Sequence, residues 1–337
     1  MTAPVFVSAA SVAKTLDWPA IVAHLQAVYA APSSPEARPP RLVTRGDGAR
    51  LRTLTAALPS GRLLGAKLMA SSRAKRTAYL IALFDQQEGG IVALMDGNAI
   101  TACRTAATSA AALDCLLPPD RAQLRLGILG SGMEARAHLL AVAAVRKSSE
   151  VLVFSPSPEN RAAFADEFAQ RLGVPCRAAP SPAAVVAGCD LLVAAARSRD
   201  ETPIFRGAEL RDGMIVVSIG STLPEQREID PETIARCDLI VADEPEEVAR
   251  QTGDFIAARR AGIAFDGKLA ALSELVMGKL KDRLAASRLT MFKSVGAGIQ
   301  DIAVAEFVLD RALAMRLATE LPLELAIKRG AGEARWF

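Results

Sequence analysis

From Leu124 to about Ser294 the chain alternates short apolar runs with longer amphipathic ones, and this rhythm limits the possible folds more than any other feature. LRLGILG, VLVFS, DLLVAAA, MIVVSIG and DLIVAD read as strands, and LTMFKS (289–294) as a last one. MEARAHLLAVAAVRK, SPENRAAFADEFAQRL and SPAAVVAGC read as the helices between the earlier strands, with PCRAA an edge strand. Strands that are apolar throughout and joined by helices imply right-handed crossovers and a parallel sheet covered on both faces. The expected fold class is therefore α/β, with a doubly wound parallel sheet.

The first third has a different rhythm. PVFVS (4–8) reads as a short strand, and Asp17 as the cap of a helix that buries Ile21, Val22, Leu25, Val28 and Tyr29. APSSPEARPP (31–40) is a loop. RLVTR, ARLRTLTAAL, RLLGAKLMAS, TAYLIALFD and GGIVALMD follow, separated by Gly46-Asp47-Gly48, Pro59-Ser60-Gly61 and a Gln/Glu/Gly turn near 86–90. That is a run of adjacent antiparallel strands. A helix from about Thr101 to Leu117 stops at Pro118-Pro119. A second, from about Ile299 to Leu317, carries the chain back to the first domain, because nothing after it builds a core alone. The chain, 337 residues long, is long enough for both domains. The expected division is 1–118 plus 300–337 for one and 119–299 for the other.

Composition removes several function classes. Forty Lys and Arg against 37 Asp and Glu leave a net charge of +3, which argues for neither a nucleic-acid nor an anionic-membrane partner. No apolar run is long enough to span a bilayer. The start, MTAPVFVSAASVAK, has no basic segment before its apolar stretch, so no signal peptide is expected. Cys103, Cys115, Cys176, Cys189 and Cys237 are scattered and include no C-x-x-C pair, which fits reduced thiols and a cytoplasmic protein. With only His24 and His138, no multi-histidine metal site is expected.

Gly130-Ser131-Gly132-Met133-Glu134-Ala135 closes one of these strands and opens a helix. The pattern is G-x-G-x-x-A, a variant of the dinucleotide fingerprint. The first glycine permits the turn. The second lets a pyrophosphate approach the backbone, where helix N-terminal N–H groups meet its charge. The alternative is a turn packed tightly for structural reasons alone. The tip of the next strand normally reads the adenosine ribose through an Asp or Glu. Here it holds Phe154-Ser155-Pro156-Ser157, with Arg161 one turn on and no carboxylate at the tip. Two hydroxyls and a guanidinium suit a 2′-phosphate, so NADP(H) is expected over NAD(H). The competing reading makes Ser157 a helix cap only, with Glu159 and Arg161 solvated.

Three cations in the first domain stand on apolar or small-residue segments: Lys67 in LLGAKLMA, Arg41 after the proline loop, and Arg104 in DGNAITACRTAATSAAA. A cation there needs an anion. An internal salt bridge or a snorkelling side chain is the other account, and for Arg41 taken alone it is the stronger.

Together GAKLMA, DGNAITACRTAATSAAA, GILGSGMEARAHL, VVSIGSTLPEQREID and FKSVGAGIQDIAVAEFVLD make the chain resemble the ornithine cyclodeaminase/mu-crystallin family over nearly its whole length. The resemblance implies a Rossmann domain inserted into an α+β substrate and dimerisation domain built from both chain ends, and a homodimer. It implies a substrate carboxylate held by Arg41, Lys67 and Arg104, with Arg45 or Arg52 as alternatives to Arg41. It also places nicotinamide or ribose contacts near Ala196–Ser198, Ile219–Thr222 and Ser294.

One departure bears on the reaction. The family's cyclodeaminases carry an aspartate in the loop after the fifth strand of the inserted domain, where this chain reads Gly220-Ser221-Thr222-Leu223-Pro224. Cyclodeamination needs a base for the substrate's amines, and a neutral hydroxyl is a poor one. Glu225 and Glu228 stand further along the loop and are not promoted. Reducing a preformed ketimine asks only for orientation and a held carboxylate. The expectation is NADPH-dependent reduction of 1-pyrroline-2-carboxylate or 1-piperideine-2-carboxylate, with Thr222 or Lys67 assisting the proton. The alternatives are an ornithine cyclodeaminase or amino-acid dehydrogenase, an opine-like reductive coupling, and a mu-crystallin-like protein that binds NADPH without turnover.

Overall fold

The structure is a computed structural model, and it describes residues 3–74, 76–118, 124–198 and 200–323. Packing divides these into two units. The first holds 3–17, 31–101 and 297–323; the second holds 18–30 and 102–296 as far as described.

The first unit is built on a seven-stranded sheet in the order β15-β1-β6-β5-β4-β3-β2. Its strands are β1 (Val5–Val7), β2 (Leu42–Arg45), β3 (Arg50–Ala57), β4 (Leu63–Ser71), β5 (Thr77–Asp85), β6 (Ile91–Asp96) and β15 (Thr319–Glu320). From β2 to β6 the neighbours are antiparallel, as the turn signals predict, while β1 lies parallel to β6. Residues alternate between two faces. Leu54, Ala56, Leu63, Met69, Ile81, Leu83, Ala93 and Met95 are buried on the inner face. There the sheet packs on α12 (Gly298–Ala314), which is joined by the short α1 (Ala9–Thr15), a helix capped by Ser8. The outer face carries Leu42, Leu51, Leu64 and Leu80, exposed by 36–71%. On this face Leu68 stands opposite Leu80 and Leu64 opposite Phe84.

The second unit has eight parallel strands in the order β13-β12-β14-β11-β10-β7-β8-β9. These are β7 (Leu124–Leu129), β8 (Ser148–Phe154), β9 (Cys176–Ala178), β10 (Leu191–Ala194), β11 (Ile215–Ser218), β12 (Leu239–Ala242), β13 (Leu269–Ala271) and β14 (Thr290–Lys293). Its helices are α2 (Trp18–Ala30), α3 (Gly97–Leu116) from Ala102 onward, α4 (Met133–Val145), α5 (Pro158–Leu172), α6 (Pro182–Gly188), α7 (Pro231–Arg236), α8 (Pro245–Gln251), α9 (Gly253–Arg260), α10 (Leu272–Val276) and α11 (Lys281–Ala286). The central strands β10, β11, β12 and β14 are buried at every residue, the mark of a sheet covered on both faces. The chain winds outward from β7 through β9 and then returns to β10. The sheet therefore has its topological switch point between β7 and β10, where the crevice at the strands' carboxyl ends binds ligands.

The division by packing runs elsewhere than the expected line between 118 and 119, which adjoins residues outside the described ones. α2 packs on α4 and α10. Ser109 and Asp114 of α3 reach His138 and Arg146 of the second unit, at 3.0 Å for the first pair. Helices expected with the antiparallel strands thus belong by contact with the parallel sheet. Sequence rhythm reports element type, whereas these attachments depend on contacts between distant segments.

Candidate active site

The glycine turn sits at the switch point. Gly130 has φ +123°, and a Cβ there would stand 2.7 Å from the Ala195 carbonyl oxygen, so only glycine fits. Gly132 caps α4, and a Cβ on it would meet no protein atom within 4 Å. Protein packing therefore does not demand glycine at this second position. A bare backbone at the N-terminus of a 13-residue helix is a cradle for an anion such as a pyrophosphate, and the residues fit the expected dinucleotide. Ser131 donates its hydroxyl to Ser155 at the tip of β8 (2.9 Å), tying the turn to the end of the next strand, where a ribose contact is expected. Met133, the first residue of α4, is exposed.

At that ribose end the structure realises the cap reading of Ser157, whose Oγ accepts the Asn160 N–H (3.1 Å). The same hydroxyl donates to Glu159 Oε2 at 2.8 Å. Arg161 lies 5.2 Å from the centre of the Phe154 ring and donates to the Ser155 carbonyl (3.0 Å). The guanidinium is held at the strand tip by stacking and one hydrogen bond.

The other loops at the carboxyl edge are fixed from below by buried acids. Glu228 accepts the Ala196 N–H (3.2 Å) on Oε1, and on Oε2 the Gly220 N–H (2.9 Å) and the Ser218 hydroxyl (2.6 Å). Asp254 accepts the backbone N–H groups of Glu228 (2.8 Å) and Ile229 (3.2 Å). Lys293 Nζ donates to both Ser218 Oγ (2.9 Å) and Asp254 Oδ2 (3.2 Å). All four side chains are fully buried. Burial pushes the Glu228 carboxyl up to about 7, against the pull of Lys293, Ser218 and the Gly220 N–H. Asp243, just past β12, does the same for the loop after β14: it accepts the Ser294 hydroxyl (2.6 Å) and the N–H groups of Val295 (3.0 Å) and Gly296 (2.8 Å). Of the other expected contacts, Ile219 N–H donates to Ala194 (3.3 Å) and Ser198 donates to the Thr202 carbonyl (2.7 Å). Thr222 donates its hydroxyl to Gln226 Oε1 (3.1 Å).

Arg104 joins this edge. Its side chain is buried in α3, and its guanidinium lies against Gly296, where a Cβ would stand 2.5 Å from Nη1. Gly296 also has φ +80°, a backbone conformation that selects glycine. The second unit thus brings together the glycine turn, the ends of β10, β11 and β14, and a buried arginine.

The remaining candidates belong to the first unit. Lys67, 2% exposed at the middle of β4, pairs with Asp301 of α12, with Nζ 2.8 Å from each carboxylate oxygen. Arg41 is buried and Arg45 is exposed. Arg52 is also buried; it faces Met69 across the β3–β4 pair, on the same inner face as Lys67. Asp301, Asp243, Asp254 and Lys293 are buried charged residues that the sequence reading does not single out, and Glu228 is one that it sets aside. The available signal was an acid inside the apolar helix GIQDIAVAEF and a lysine at the tip of TMFK. Among the described residues no cluster of His, Cys, Asp and Glu is arranged to hold a metal, and no helix is long and apolar enough to cross a membrane.

A model of the ornithine cyclodeaminase/mu-crystallin family matches residues 9–316. The delta(1)-pyrroline-2-carboxylate reductase of Bacillus cereus is 29% identical over 235 residues, 69% of this chain and 71% of its own. The ketimine reductase mu-crystallin of Mus musculus is 31% identical over 230 residues, 68% of each chain. Among solved structures, that of Thermococcus litoralis delta(1)-pyrroline-2-carboxylate reductase in complex with NADH and L-proline has a TM-score of 0.85 at 26% identity, covering 94% of this chain and 100% of its own.

Proposed function

Because the chain belongs to the ornithine cyclodeaminase/mu-crystallin family, we propose that it is an NAD(P)H-dependent oxidoreductase that reduces the C=N bond of a cyclic imino acid, 1-pyrroline-2-carboxylate or 1-piperideine-2-carboxylate, to the cyclic amino acid. The observation that carries this reading is Thr222. It stands where the family resemblance puts the cyclodeaminase aspartate, and its hydroxyl is donated to Gln226. A neutral, engaged hydroxyl is unsuited to removing protons from the amines of an open-chain substrate. A ketimine that arrives protonated needs no such base.

A bound nicotinamide coenzyme would supply the hydride chemistry, which turns a protonated ketimine into a secondary amine. The protein's part is to hold the substrate. Arg104 is the proposed carboxylate ligand, since its guanidinium rests on bare backbone at the sheet edge where ligands bind. Lys67 is proposed as a second anchor. It is held in place by Asp301, whose carboxylate lies 2.8 Å from its Nζ. Arg41 is the third proposed anchor, with Arg52 its alternative.

NADPH is the proposed coenzyme, supported by Arg161 and by the absence of a carboxylate at the β8 tip itself. The Glu159–Ser157 bond is the feature that opposes it, because a 2′-phosphate has to displace or outbid that carboxylate. The proposed partner for the outer face of the first unit's sheet is a second copy of this chain. Four exposed leucines on one face make an apolar patch of the kind that an obligate interface covers. A Leu64→Lys/Leu80→Glu variant that sediments as the wild type does would remove that support.

The test is nicotinamide absorbance with purified protein, both cyclic imino acids, and NADPH or NADH. The expected result is NADPH oxidation with either imine, and neither coenzyme reduction nor ammonia release with ornithine or lysine and the oxidised coenzyme. Ammonia release from ornithine with no imine reduction would overturn the reading.

A further inference from the structure

Glu228 is not expected to touch the substrate, yet its side chain secures two strand-end loops at once. One oxygen takes the N–H of Ala196, just past β10. The other takes the N–H of Gly220, just past β11. The fit is tight. A Cβ on Gly220 would stand 2.4 Å from Glu228 Oε1 and 2.8 Å from the Ala196 carbonyl oxygen. The loop after β10 is in turn the surface on which the glycine turn rests, since the forbidden Cβ of Gly130 would strike Ala195 and Ala196.

In a doubly wound sheet the pyrophosphate lies at the first glycine turn and the adenosine ribose at the tip of the next strand. Here these are the ends of β7 and β8. The other half of the dinucleotide must therefore extend the opposite way, over the ends of β10 and β11. Those are the two loops that Glu228 joins. We infer that Glu228 is a positioning residue for the nicotinamide half of the coenzyme: ionised, it draws the loops after β10 and β11 together at the spacing that receives that half, and protonated it loosens them. This rests on the coenzyme reading above and deepens it.

The chemistry follows from counting acceptors. The carboxylate accepts three hydrogen bonds, from two backbone N–H groups and the Ser218 hydroxyl. A carboxylic acid must use one oxygen as a donor, and neither backbone N–H can accept from it. Protonation therefore costs at least one loop contact or forces the Ser218 hydroxyl to turn. The charged groups facing this site are Lys293 from β14 and Asp254 from α9, joined at 3.2 Å. Arg227, next to Glu228 in sequence, has its Nε 3.5 Å from Asp254. On the β10 side stand Arg197 and Glu201, paired at 3.2 Å. Burial holds the Glu228 carboxyl at about 7, so the change falls within the range where coenzyme binding is readily measured.

The test uses the full chain and reads coenzyme affinity, not turnover, so a wrong substrate does not affect it. Dissociation constants for NADPH and NADH are measured from about pH 6 to about pH 8.5 for wild type, Glu228→Gln and Ser218→Ala. The variant-to-wild-type ratio cancels the titration of the coenzyme's own 2′-phosphate. Glu228→Gln is nearly isosteric and copies the protonated state. It is expected to match wild type within about twofold at the acid end and to bind roughly tenfold more weakly at the alkaline end, the size of one charge-assisted hydrogen bond. Ser218→Ala removes a donor that favours the ionised form, so it is expected to move the wild-type inflection to higher pH. A structural role alone would weaken the variant by one factor at every pH. A flat ratio for Glu228→Gln, or an unmoved inflection in Ser218→Ala, would overturn the inference. Failure of the wild type to bind either coenzyme would overturn the coenzyme reading along with it.

Discussion

Each unit buries a lysine–aspartate pair, and the two pairs are built differently. Lys67 stands at the middle of β4, and its ammonium meets both oxygens of Asp301 at 2.8 Å. Lys293 is the last residue of β14, meets Asp254 through one oxygen at 3.2 Å, and shares its protons with Ser218. The reason lies in the backbone. At mid-strand the ladder already uses the N–H and C=O groups, so a buried charge there has only its counter-ion and what approaches from the facing helix. At a strand's carboxyl end the ladder stops, and free N–H groups become available to acids such as Glu228 and Asp243. One pair stands at mid-strand on the sheet's inner face, and the other belongs to a network that shapes loops.

The sharpest way to break this comparison is to remove the mid-strand cation. Lys67→Met leaves Asp301 without its ammonium, at an expected cost of about 3–5 kcal/mol in stability. If Lys67 also anchors the substrate carboxylate, kcat/KM falls by roughly 10- to 100-fold more than unfolding explains. The double variant Lys67→Met/Asp301→Leu separates the two effects. An apolar pair of similar volume should restore most of the thermal stability while leaving turnover at the level of the single variant. Recovery of turnover in the double variant would make the pair purely structural.

Proton linkage gives the next largest effect and concerns the second unit alone. Burial holds the His138 imidazole down at about 4, with its ring bonded to Ser109 and to the Glu134 carbonyl. Its pKa is depressed on folding, so its contribution is complete above the unfolded value near 6.5 and is lost as pH falls toward 4. Glu228 is shifted the other way, from 4.5 to about 7. Its contribution is complete below 4.5 and is lost as pH rises through 7. Between about pH 4.5 and 6.5 the two oppose each other, each worth roughly 3 kcal/mol across its full range. Denaturant titrations should therefore show Glu228→Gln losing stability on acidification by roughly 2–3 kcal/mol more than wild type. Parallel curves for the two proteins would show that Glu228 does not take up a proton in this range.

These pairs also mark how far the sequence could be read. The parallel sheet, the antiparallel strand run and the glycine turn were legible because each is a local pattern: period, turn residues, and glycines at fixed offsets. Lys67 and Arg104 were legible as cations in apolar company, and the structure buries both. Their surroundings were not. Asp301 lies 234 positions from Lys67, and no periodicity links them. Glu228 looked like one of two loop acids until the fold carried its carboxylate beneath Ala196 and Gly220. α2 is legible as a helix that buries Ile21, Val22, Leu25 and Tyr29, though Val28 is only half-buried, and its partners α4 and α10 come from elsewhere in the chain. Local pattern specifies the elements, while the counter-ions are chosen by topology.

Steric strain at the glycine turn is the third test and needs no titration. Gly130→Val combines a φ of +123° with a Cβ 2.7 Å from the Ala195 oxygen. We expect about 2–4 kcal/mol of destabilisation and loss of coenzyme affinity. Gly132→Ala meets no protein atom, so it should leave stability within about 1 kcal/mol while still weakening NAD(P)H binding. If Gly132→Ala binds coenzyme as the wild type does, the bare backbone is not a pyrophosphate cradle.

The smallest effect separates cap from coenzyme ligand at the β8 tip. Ser157→Ala removes the acceptor of the Asn160 N–H and should lower stability by about 1 kcal/mol. It also frees Glu159 from the bond that fixes its carboxylate near the ribose end. If Ser157 serves only as a cap, the ratio of NADPH to NADH affinity stays constant. If its hydroxyl helps to hold a 2′-phosphate, that ratio falls, and Arg161→Ala lowers it further, by about tenfold for one charge-assisted contact. Glu159→Gln supplies the opposite sign. Removing a carboxylate from beside the proposed phosphate site should raise the preference for NADPH, and a fall in that preference would exclude Glu159 as the feature opposing it.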